Sequence, residues 1–316
     1  MGSIFSSYKS RVPNSISDFQ LYIWELTQNK GYDNFCDVLE EISEIIRNLL
    51  DRMSFIPNLN SDDAELLKTH FDYVLGIHKA MNEANLYSAI YYANKLLKSL
   101  DKNECLYKVP FDSGNHFRVR NSDHLLTELT DLFHVPFEKR SIISPNRFSI
   151  AGFPCLYISN NLDCCIEEVG IKTGESMYAS VFTPNKQLKV LDLRLLRDVK
   201  SDDIKKYLLL LPLLISCSYE AKSEGYYVPE YNIPQLMMHY ILKSKHKENM
   251  DGIAYSSTKK PQNDIVNYVF PVRNVKSQGW CDKLKDNFQI SSPQMIICAN
   301  GKRLLSEQDL LNKINF

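Results

Sequence analysis

Residues 147–169 read RFSIAGFPCLYISNNLDCCIEEV, and this stretch joins a short β-type run to a helical run. The run Cys155–Ser159 is apolar and aromatic and is bounded by Pro154 and Asn160, which is typical of a strand. Residues 162–171 place apolar side chains at helical spacing. A strand that leads directly into a helix indicates a domain that combines a sheet with helices.

Short strands and helices continue on both sides of this stretch. Runs rich in β-branched or aromatic residues predict strands at residues 116–120, 177–183, 188–193, Gly252–Ser256, 266–272 and 295–299. Helical patterns lie among them at residues 202–222, 234–247 and 306–314. Strict alternation of strand, helix and strand is absent from this part of the chain, so the predicted fold class is α+β.

Residues 1–105 differ, because helical patterns follow one another there without strand patterns. Residues 37–53 carry an apolar helical stripe, with acids early and bases late as the helix dipole favours. Ser61, Asp62 and Asp63 predict the cap of a second helix, and residues 82–100 predict a third. We therefore predict two domains, an all-α domain over residues 1–105 and an α+β domain over residues 106–316.

Composition excludes several classes of protein. The 37 basic and 38 acidic residues give a formal net charge of −1, which provides no electrostatic footprint for nucleic acid. The most apolar run, residues 207–217, contains Pro212 and is shorter than the roughly 20 residues of a membrane span. The eight cysteines include no Cys-x-x-Cys pair, and Cys164 and Cys165 are adjacent, which suits reduced thiols in a cytoplasmic protein better than a zinc site.

The usual catalytic motifs are also absent from the sequence. There is no Gly-x-Gly-x-x-Gly, no P-loop, no Gly-x-Ser-x-Gly and no His-Glu-x-x-His. Polar residues do stand on or beside predicted strands and on the helix that follows one of them. These residues are Arg118, Arg147, Tyr157, Glu168, Ser256, Ser257 and Asn267. Tyr157 alone equally suits the core of a half-buried strand, and the two serines equally suit a turn.

The order of these blocks resembles the RES domain family, which is named for Arg, Glu and Ser. The stretch 147–169 is similar to the centre of such domains. It is followed by LKVLDL at residues 188–193, PEYNIPQ at 229–235, DGIAYSS at 251–257 and NYVF at 267–270. The ordered match covers about residues 115–270. RES proteins degrade NAD, and their fold resembles that of bacterial ADP-ribosyltransferase toxins, so the resemblance implies this fold and NAD as the substrate.

The resemblance assigns Glu168, Arg147 and Tyr157 as catalytic residues. It assigns Arg118, Ser257, Ser256 and Asn267 to substrate binding. Glu168 is preferred over Glu167 because it directly precedes Val169, and Ser257 over Ser256 because it falls two residues after Tyr255. Arg120 competes with Arg118 because it lies on the same face of the strand. A carboxylate suits the oxocarbenium-like centre at the ribose, and guanidinium forks suit the pyrophosphate.

The leading functional hypothesis is a metal-independent NAD+ glycohydrolase, with NAD as substrate and no cofactor, acting as a toxin or phage-defence effector. An ADP-ribosyltransferase with a macromolecular acceptor and a non-catalytic nucleotide-binding immunity module are the alternatives. The helical extension resembles HEPN domains, although it lacks their Arg-x4–6-His signature. We expect it to serve regulation or homo-oligomerisation, with a regulatory protein or antitoxin as partner.

Overall fold

The computed structural model describes residues 11–27, 35–50, 59–196, 199–221, 227–243, 250–259, 262 and 264–314. The chain divides into two compact units. Unit 1 comprises Met1–Tyr107 with Leu193–Met237, and unit 2 comprises Lys108–Asp192 with Met238–Phe316. The segment 193–237 therefore groups with the N-terminal helices, whereas the boundary between residues 105 and 106 stays a prediction from sequence.

Unit 1 is helical in its described part. Its elements are α1 (Ile16–Thr27), α2 (Phe35–Leu50), α3 (Ser61–Asn82), α4 (Leu86–Lys102), α6 (Ile204–Ser218) and the start of α7 (Asn232–Lys243), with 3-10 turns at Ser201–Asp203 and Pro229–Tyr231. The apolar stripe predicted over residues 37–53 is α2, where Val38, Leu39 and Ile42 are fully buried. Residues 51–53 of that prediction lie outside the described residues.

The first residues of α3 and α4 differ from those predicted from the sequence. The N-cap of α3 is Asn60, whose side chain accepts a hydrogen bond from Asp63 N at 2.9 Å, while Asp63 Oδ2 accepts one from Asn60 N at 3.2 Å. Ser61 is therefore the first helical residue and not the cap. Helix α4 begins at Leu86, with Asn85 as its cap, because Ala84 takes a positive φ and ends the preceding helix.

Helix α6 is nearly enclosed by its surroundings in unit 1. Every residue of Tyr207–Ser218 is buried, and α3 is one of the helices that contact α6. The His70 ring on α3 makes a hydrogen bond of 2.8 Å to the carbonyl oxygen of Leu209, and Lys205 pairs with Asp63 at 2.9 Å. Among the described residues, no helix is both long enough and apolar enough to cross a membrane.

Unit 2 is built on a nine-stranded sheet of the described residues. The strands are β1 (Lys108–Pro110), β2 (His116–Ser122), β3 (Cys155–Ser159), β4 (Ser176–Pro184), β5 (Lys189–Asp192), β6 (Gly252–Ser256), β7 (Val266–Pro271), β8 (Phe288–Ile290) and β9 (Gln294–Ile297). The helices of this unit are α5 (Leu162–Val169), the rest of α7, α8 (Asp282–Lys285) and α9 (Glu307–Lys313), with 3-10 turns at Leu129–Leu132 and Phe137–Ile142. The helical unit 1 and the mixed unit 2 together confirm the predicted α+β class.

The sheet is joined weakly at its middle. The strand order is β1-β5-β6-β7-β3-β2-β4-β8, with β9 also paired to β4, and only β5 and β6 run parallel. Strand β2 pairs with β4 from His116 to Ser122, but it pairs with β3 only at Phe117 opposite Ser159. The two halves of the sheet therefore separate beyond that pair.

Each face of the sheet carries its own core. One core contains Leu156, Ile158, Tyr268 and Phe270, together with the aromatic residues that pack on them. The other contains Phe117, Val119 and Ala179 with Leu162 and Cys165 of α5. Helix α5 therefore lies on the face to which Phe117 and Val119 point, because alternate residues of a strand point to opposite faces.

Two buried histidines make the stability of unit 2 sensitive to acid. His116 stacks on Phe111 with ring centroids 4.3 Å apart, and burial lowers its pKa from 6.5 to about 4. His134 accepts a hydrogen bond from Cys281 N at 2.9 Å through Nε2, and burial lowers its pKa to about 4 as well. Both rings are therefore neutral in the folded protein at pH 6.

We expect the free energy of unfolding to fall as the pH drops from 6.5 to 4. In this window the unfolded chain binds protons that the folded chain does not, so stability rises with pH and is lost in acid. The loss is on the order of 2 kcal/mol for each ring. Urea unfolding at pH 7 and at pH 4.5 measures it. His116→Phe keeps the stacked ring and should reduce the pH dependence, so an unchanged dependence would contradict this assignment.

Candidate active site

Helix α5 presents Glu168 at its last turn. The helix is capped by Asn161, whose side chain accepts a hydrogen bond from Cys164 N at 2.8 Å, and it ends at Gly170 with φ 71°. Leu162 and Cys165 are buried against Phe117, and the Asn121 amide donates to the carbonyl oxygen of Gly170 at 2.7 Å. These contacts hold both ends of the helix, so the position of Glu168 is set by the sheet below it.

The protein holds the Glu168 carboxylate through its oxygen Oε1. Ser257 Oγ donates to Oε1 at 2.7 Å, and Asn267 Nδ2 donates to the same oxygen at 3.2 Å. Both partners are buried, whereas Glu168 is exposed. Among the residues that the structure describes, none donates a hydrogen bond to Oε2. One carboxylate oxygen is thus fixed by the protein, and the other accepts no hydrogen bond from the described residues.

A thiol sets the orientation of the Asn267 amide. Cys164 Sγ lies 3.6 Å from Asn267 Oδ1, and burial raises the pKa of this thiol, so it stays protonated and can donate to that oxygen. With Oδ1 occupied by a donor, the amide nitrogen faces Glu168. Cys164 was not identified as a site residue from the sequence, because a cysteine in a helix carries no local pattern for this role.

Sheet register brings Asn267 beside residues that are distant in the sequence. Asn267 is opposite Ser159 on β3 and opposite Tyr255 on β6. Since residues directly opposite each other share a face, Asn267, Tyr255 and Tyr157 point to the same side of the sheet. This is also the side that carries α5. The structure therefore places Glu168, Asn267, Ser257 and Tyr157 on one face, whereas Arg118, which alternates with Phe117 and Val119, leaves its strand on the other face.

Tyr255 is a further site residue that the sequence reasoning missed. Its ring lies against Phe148, with centroids 4.8 Å apart. Burial raises the pKa of its phenol well above the ordinary value of 10, the nearby Glu168 and Tyr157 raise it further, and the Arg147 charge lowers it. Tyr255 therefore lies within electrostatic reach of both Arg147 and Glu168. Its position two residues before Ser257 is the pattern that could have identified it.

Tyr157 holds the loop that carries Arg147. Its phenol oxygen lies 3.0 Å from Ser149 Oγ and accepts a hydrogen bond from Phe148 N at 3.3 Å. The loop closes on itself through hydrogen bonds between the backbones of Asn146 and Ser149. Arg147 is half-buried, at the position that these contacts define. Tyr157 is thus positioned to orient Arg147 through the loop backbone.

Arg118 lies where β2 and β3 separate. Its Nη1 donates to the carbonyl oxygen of Tyr157 at 2.9 Å, so a side chain replaces the missing hydrogen bond between the strands. Burial, followed by the charge of Arg120, lowers the pKa of Arg118 to about 10, which leaves it charged at pH 7. Its Nε is buried and has no hydrogen-bond partner among the described residues.

Arg120 and Ser256, the alternatives to Arg118 and Ser257, occupy different environments from those two residues. Arg120 is exposed and donates to the carbonyl oxygen of Asp131 at 3.2 Å. Ser256 pairs with Val266 in the sheet and, by alternation, points to the face opposite Tyr255. Ser257 and not Ser256 donates to Glu168. Within the described ranges, no group of three or more His, Cys, Asp or Glu side chains is arranged to hold a metal ion.

Comparisons with known proteins identify the family of this chain. The RES domain family model matches residues 117–283. A relative from Bacillus subtilis (strain 168), named "Putative toxin YopC", is 32% identical over an alignment of 303 residues, and the matched part is 85% of this chain and 67% of the relative. No solved structure matches the chain at a significant level. The chain belongs to the RES domain family.

Proposed function

We propose that this chain is an NAD+ glycohydrolase that cleaves the bond between nicotinamide and ribose, releasing nicotinamide and ADP-ribose. The proposal depends on one observation above all. Glu168 Oε1 accepts hydrogen bonds from Ser257 and Asn267, and Oε2 accepts none from the described residues. An anchored carboxylate with one open oxygen is the group that a cationic ribose centre requires.

The leaving group explains why one acid can be enough. Nicotinamide is bound to ribose as a pyridinium, so it departs as a neutral molecule when the bond from C1′ to its ring nitrogen breaks and the electron pair stays on that nitrogen. The ribose becomes oxocarbenium-like, as in glycoside hydrolysis. Glu168 would stabilise this charge and orient a water, whose oxygen bonds to C1′ while its proton passes to the carboxylate.

The arginines supply the charge that a dinucleotide needs. We assign Arg118 and Arg147 to the pyrophosphate, since guanidinium groups form forked, charge-assisted hydrogen bonds with phosphate oxygens. The buried Nε of Arg118, which has no partner among the described residues, supports this role because a buried donor costs about 1–3 kcal/mol until an acceptor arrives. Substrate oxygens would supply that acceptor.

The remaining residues are assigned to positioning. Ser257 and Asn267 hold Glu168, and Tyr157 holds the loop that carries Arg147. In this proposal Tyr157 and Tyr255 also offer apolar ring surface on the face where Glu168 lies, which suits the nicotinamide or the ribose. Holding reactants and carboxylate in one geometry lowers the entropic part of the barrier.

Incubation of the purified full-length chain with NAD labelled in the adenosine half tests the proposal. We expect stoichiometric nicotinamide and label in free ADP-ribose, separated by chromatography. Label on the chain or on added protein or nucleic acid would instead identify a transferase. Binding of NAD in a calorimeter without nicotinamide release over hours would identify a binding module. A parallel incubation with NADP defines the preference between the two dinucleotides.

The cellular role that we infer is that of a toxic effector. A relative that is 32% identical carries the name of a toxin, and an enzyme that consumes NAD harms its own cell unless it is restrained. Restraint by a regulatory protein or an antitoxin, and release during phage infection, are consistent with such a role. Cellular NAD measured after induced expression tests it, and an unchanged pool with active protein present would overturn it.

A further inference from the structure

The segment that follows β9 packs against α5, the helix that carries Glu168. The RES match ends at residue 283, and residues 298–314 lie beyond it. These residues begin with a turn, in which Cys298 N donates to the carbonyl oxygen of Lys302 at 2.9 Å, and they include α9. We call residues 298–314 the C-terminal segment. It belongs to unit 2, as α5 does.

The C-terminal segment and α5 share one apolar core. This core contains Leu162 and Cys165 of α5. It also contains Leu305 and Leu310 of the C-terminal segment. Leu162 and Leu310 are both fully buried. Helix α5 therefore packs on this segment as well as on the sheet.

A carboxylate of the C-terminal segment caps the first residue of α5. Glu307 Oε2 accepts a hydrogen bond from Leu162 N at 3.0 Å. The first N–H groups of a helix have no acceptor within the helix, and the positive end of the helix dipole favours a carboxylate there. Asn161 accepts from Cys164 N in the same turn. Glu307 and Asn161 thus serve different N–H groups of one helix end.

The start of α9 fixes the backbone that carries Glu307. Ser306 Oγ accepts from Asp309 N at 3.2 Å, and Asp309 Oδ2 accepts from Ser306 N at 3.0 Å, so Glu307 follows a closed capping box. A second contact to α5 is the ion pair of Arg303 with Asp163, whose Nη1 and Oδ1 atoms are 2.7 Å apart. Both side chains of this pair are partly exposed, so solvent weakens it. Glu307 is therefore the stronger hold on α5.

The short length of α5 transmits this contact to Glu168. Eight residues form a helix of about two turns, roughly 12 Å long. Leu162 begins the helix and Glu168 lies in its last turn, so a tilt or fraying of the first turn moves the carboxylate. Ser257 holds Oε1 at 2.7 Å and Asn267 holds it at 3.2 Å. These distances leave little room for a shift before a hydrogen bond weakens.

We propose that Glu307 is a positioning residue for NAD cleavage, because by capping α5 it keeps Glu168 where the ribose becomes cationic. This inference rests on the proposed function, in which Glu168 is the catalytic carboxylate. Glu307 acts through α5 and contacts no substrate, so its loss should lower kcat and leave KM nearly unchanged. A misplacement of about 1 Å can cost about a hundredfold in rate, and the apolar contacts of α5 remain, so we expect about a tenfold loss.

Glu307→Ala in the full-length chain tests the proposal. We expect kcat for nicotinamide release to fall about tenfold while KM stays within about twofold of the wild-type value. Glu307→Gln keeps an oxygen that can accept from Leu162 N, so it should restore kcat to nearly the wild-type value. A general loss of folded protein would not separate kcat from KM in this way. Circular dichroism at the assay temperature checks that each variant is folded.

Hydrogen exchange measured by mass spectrometry on peptides that cover residues 162–169 reads the same contact without any activity. Glu307→Ala should raise the exchange of α5, and Glu307→Gln should not. Gln308→Ala is the matched control, because Gln308 is the next residue of α9, is exposed, and donates to Asn312 of the same helix. This variant should keep both kcat and the exchange of α5 at the wild-type values.

Wild-type kcat in Glu307→Ala, or equal losses in Glu307→Ala and Gln308→Ala, would overturn the proposal. A higher KM with unchanged kcat would do so too, because it would place Glu307 at the substrate. A wild-type chain that releases no nicotinamide would instead overturn the proposed function. Exchange would then still decide whether Glu307 holds α5, and unchanged exchange of α5 in Glu307→Ala would overturn that contact as well.

Discussion

Glu168→Gln is expected to lower the rate of NAD cleavage by about a thousandfold or more, while the protein remains folded. Glutamine keeps the shape of the side chain and an oxygen that accepts from Ser257 and Asn267, so the local hydrogen bonds survive. Only the negative charge opposite the forming oxocarbenium is lost. A charge of this kind, aimed at the transition state, contributes roughly 3–4 kcal/mol or more. Release of nicotinamide under saturating NAD measures the effect.

Glu167→Gln is the control for this prediction. Glu167 is the preceding residue on the same helix and is also exposed, so the variant makes the same chemical change one position away. We expect it to retain activity within a few-fold of the wild type, because Glu168 and not Glu167 accepts the bonds from Ser257 and Asn267. Equal losses in both variants would show that neither carboxylate has a specific role, and wild-type activity of Glu168→Gln would remove the catalytic assignment.

Deletion of residues 1–107 is expected to leave a chain that aggregates or does not fold cooperatively. The segment 193–237 lies within the RES match and yet groups with the N-terminal helices. The deletion removes α3 and exposes α6, whose Leu208, Leu210, Leu211, Leu213 and Ile215 are fully or almost fully buried. Exposing a buried leucine or isoleucine costs about 1.5–3 kcal/mol, so a few of them equal the stability of a domain.

Solubility, size-exclusion chromatography and thermal melting of chain 108–316 measure the outcome. The intact chain, purified and measured in the same way, is the reference. If chain 108–316 instead proved soluble, melted cooperatively and cleaved NAD at the full-length rate, the N-terminal helices would be a dispensable module. That result would argue against a structural role for these helices, and a rate equal to that of the intact chain under all conditions would argue against a regulatory role as well.

Strands and helices were predictable where their periodicity extends over four or more residues. Cys155–Ser159 and Gly252–Ser256 agree with the structure residue for residue. The strands β1 and β8 were missed because each is three residues long, which is too short for alternation to appear. The N-cap of α3 is Asn60, one residue before the cap predicted from the sequence. Asn, Ser and Asp all suit the N-cap position, and only the backbone geometry decides among them.

The sequence by itself determined the types of elements, the α+β class and the chemistry available, namely two arginines, a carboxylate and a serine in an ordered set of blocks. The tertiary structure alone decided which of them meet. Ser257 and Asn267 reach Glu168 across 89 and 99 residues of chain, and Tyr255 joins them only through its register with Asn267. Local periodicity predicts on which face of its own strand a residue lies. The partner across the sheet follows from strand order and register, which depend on packing between distant segments.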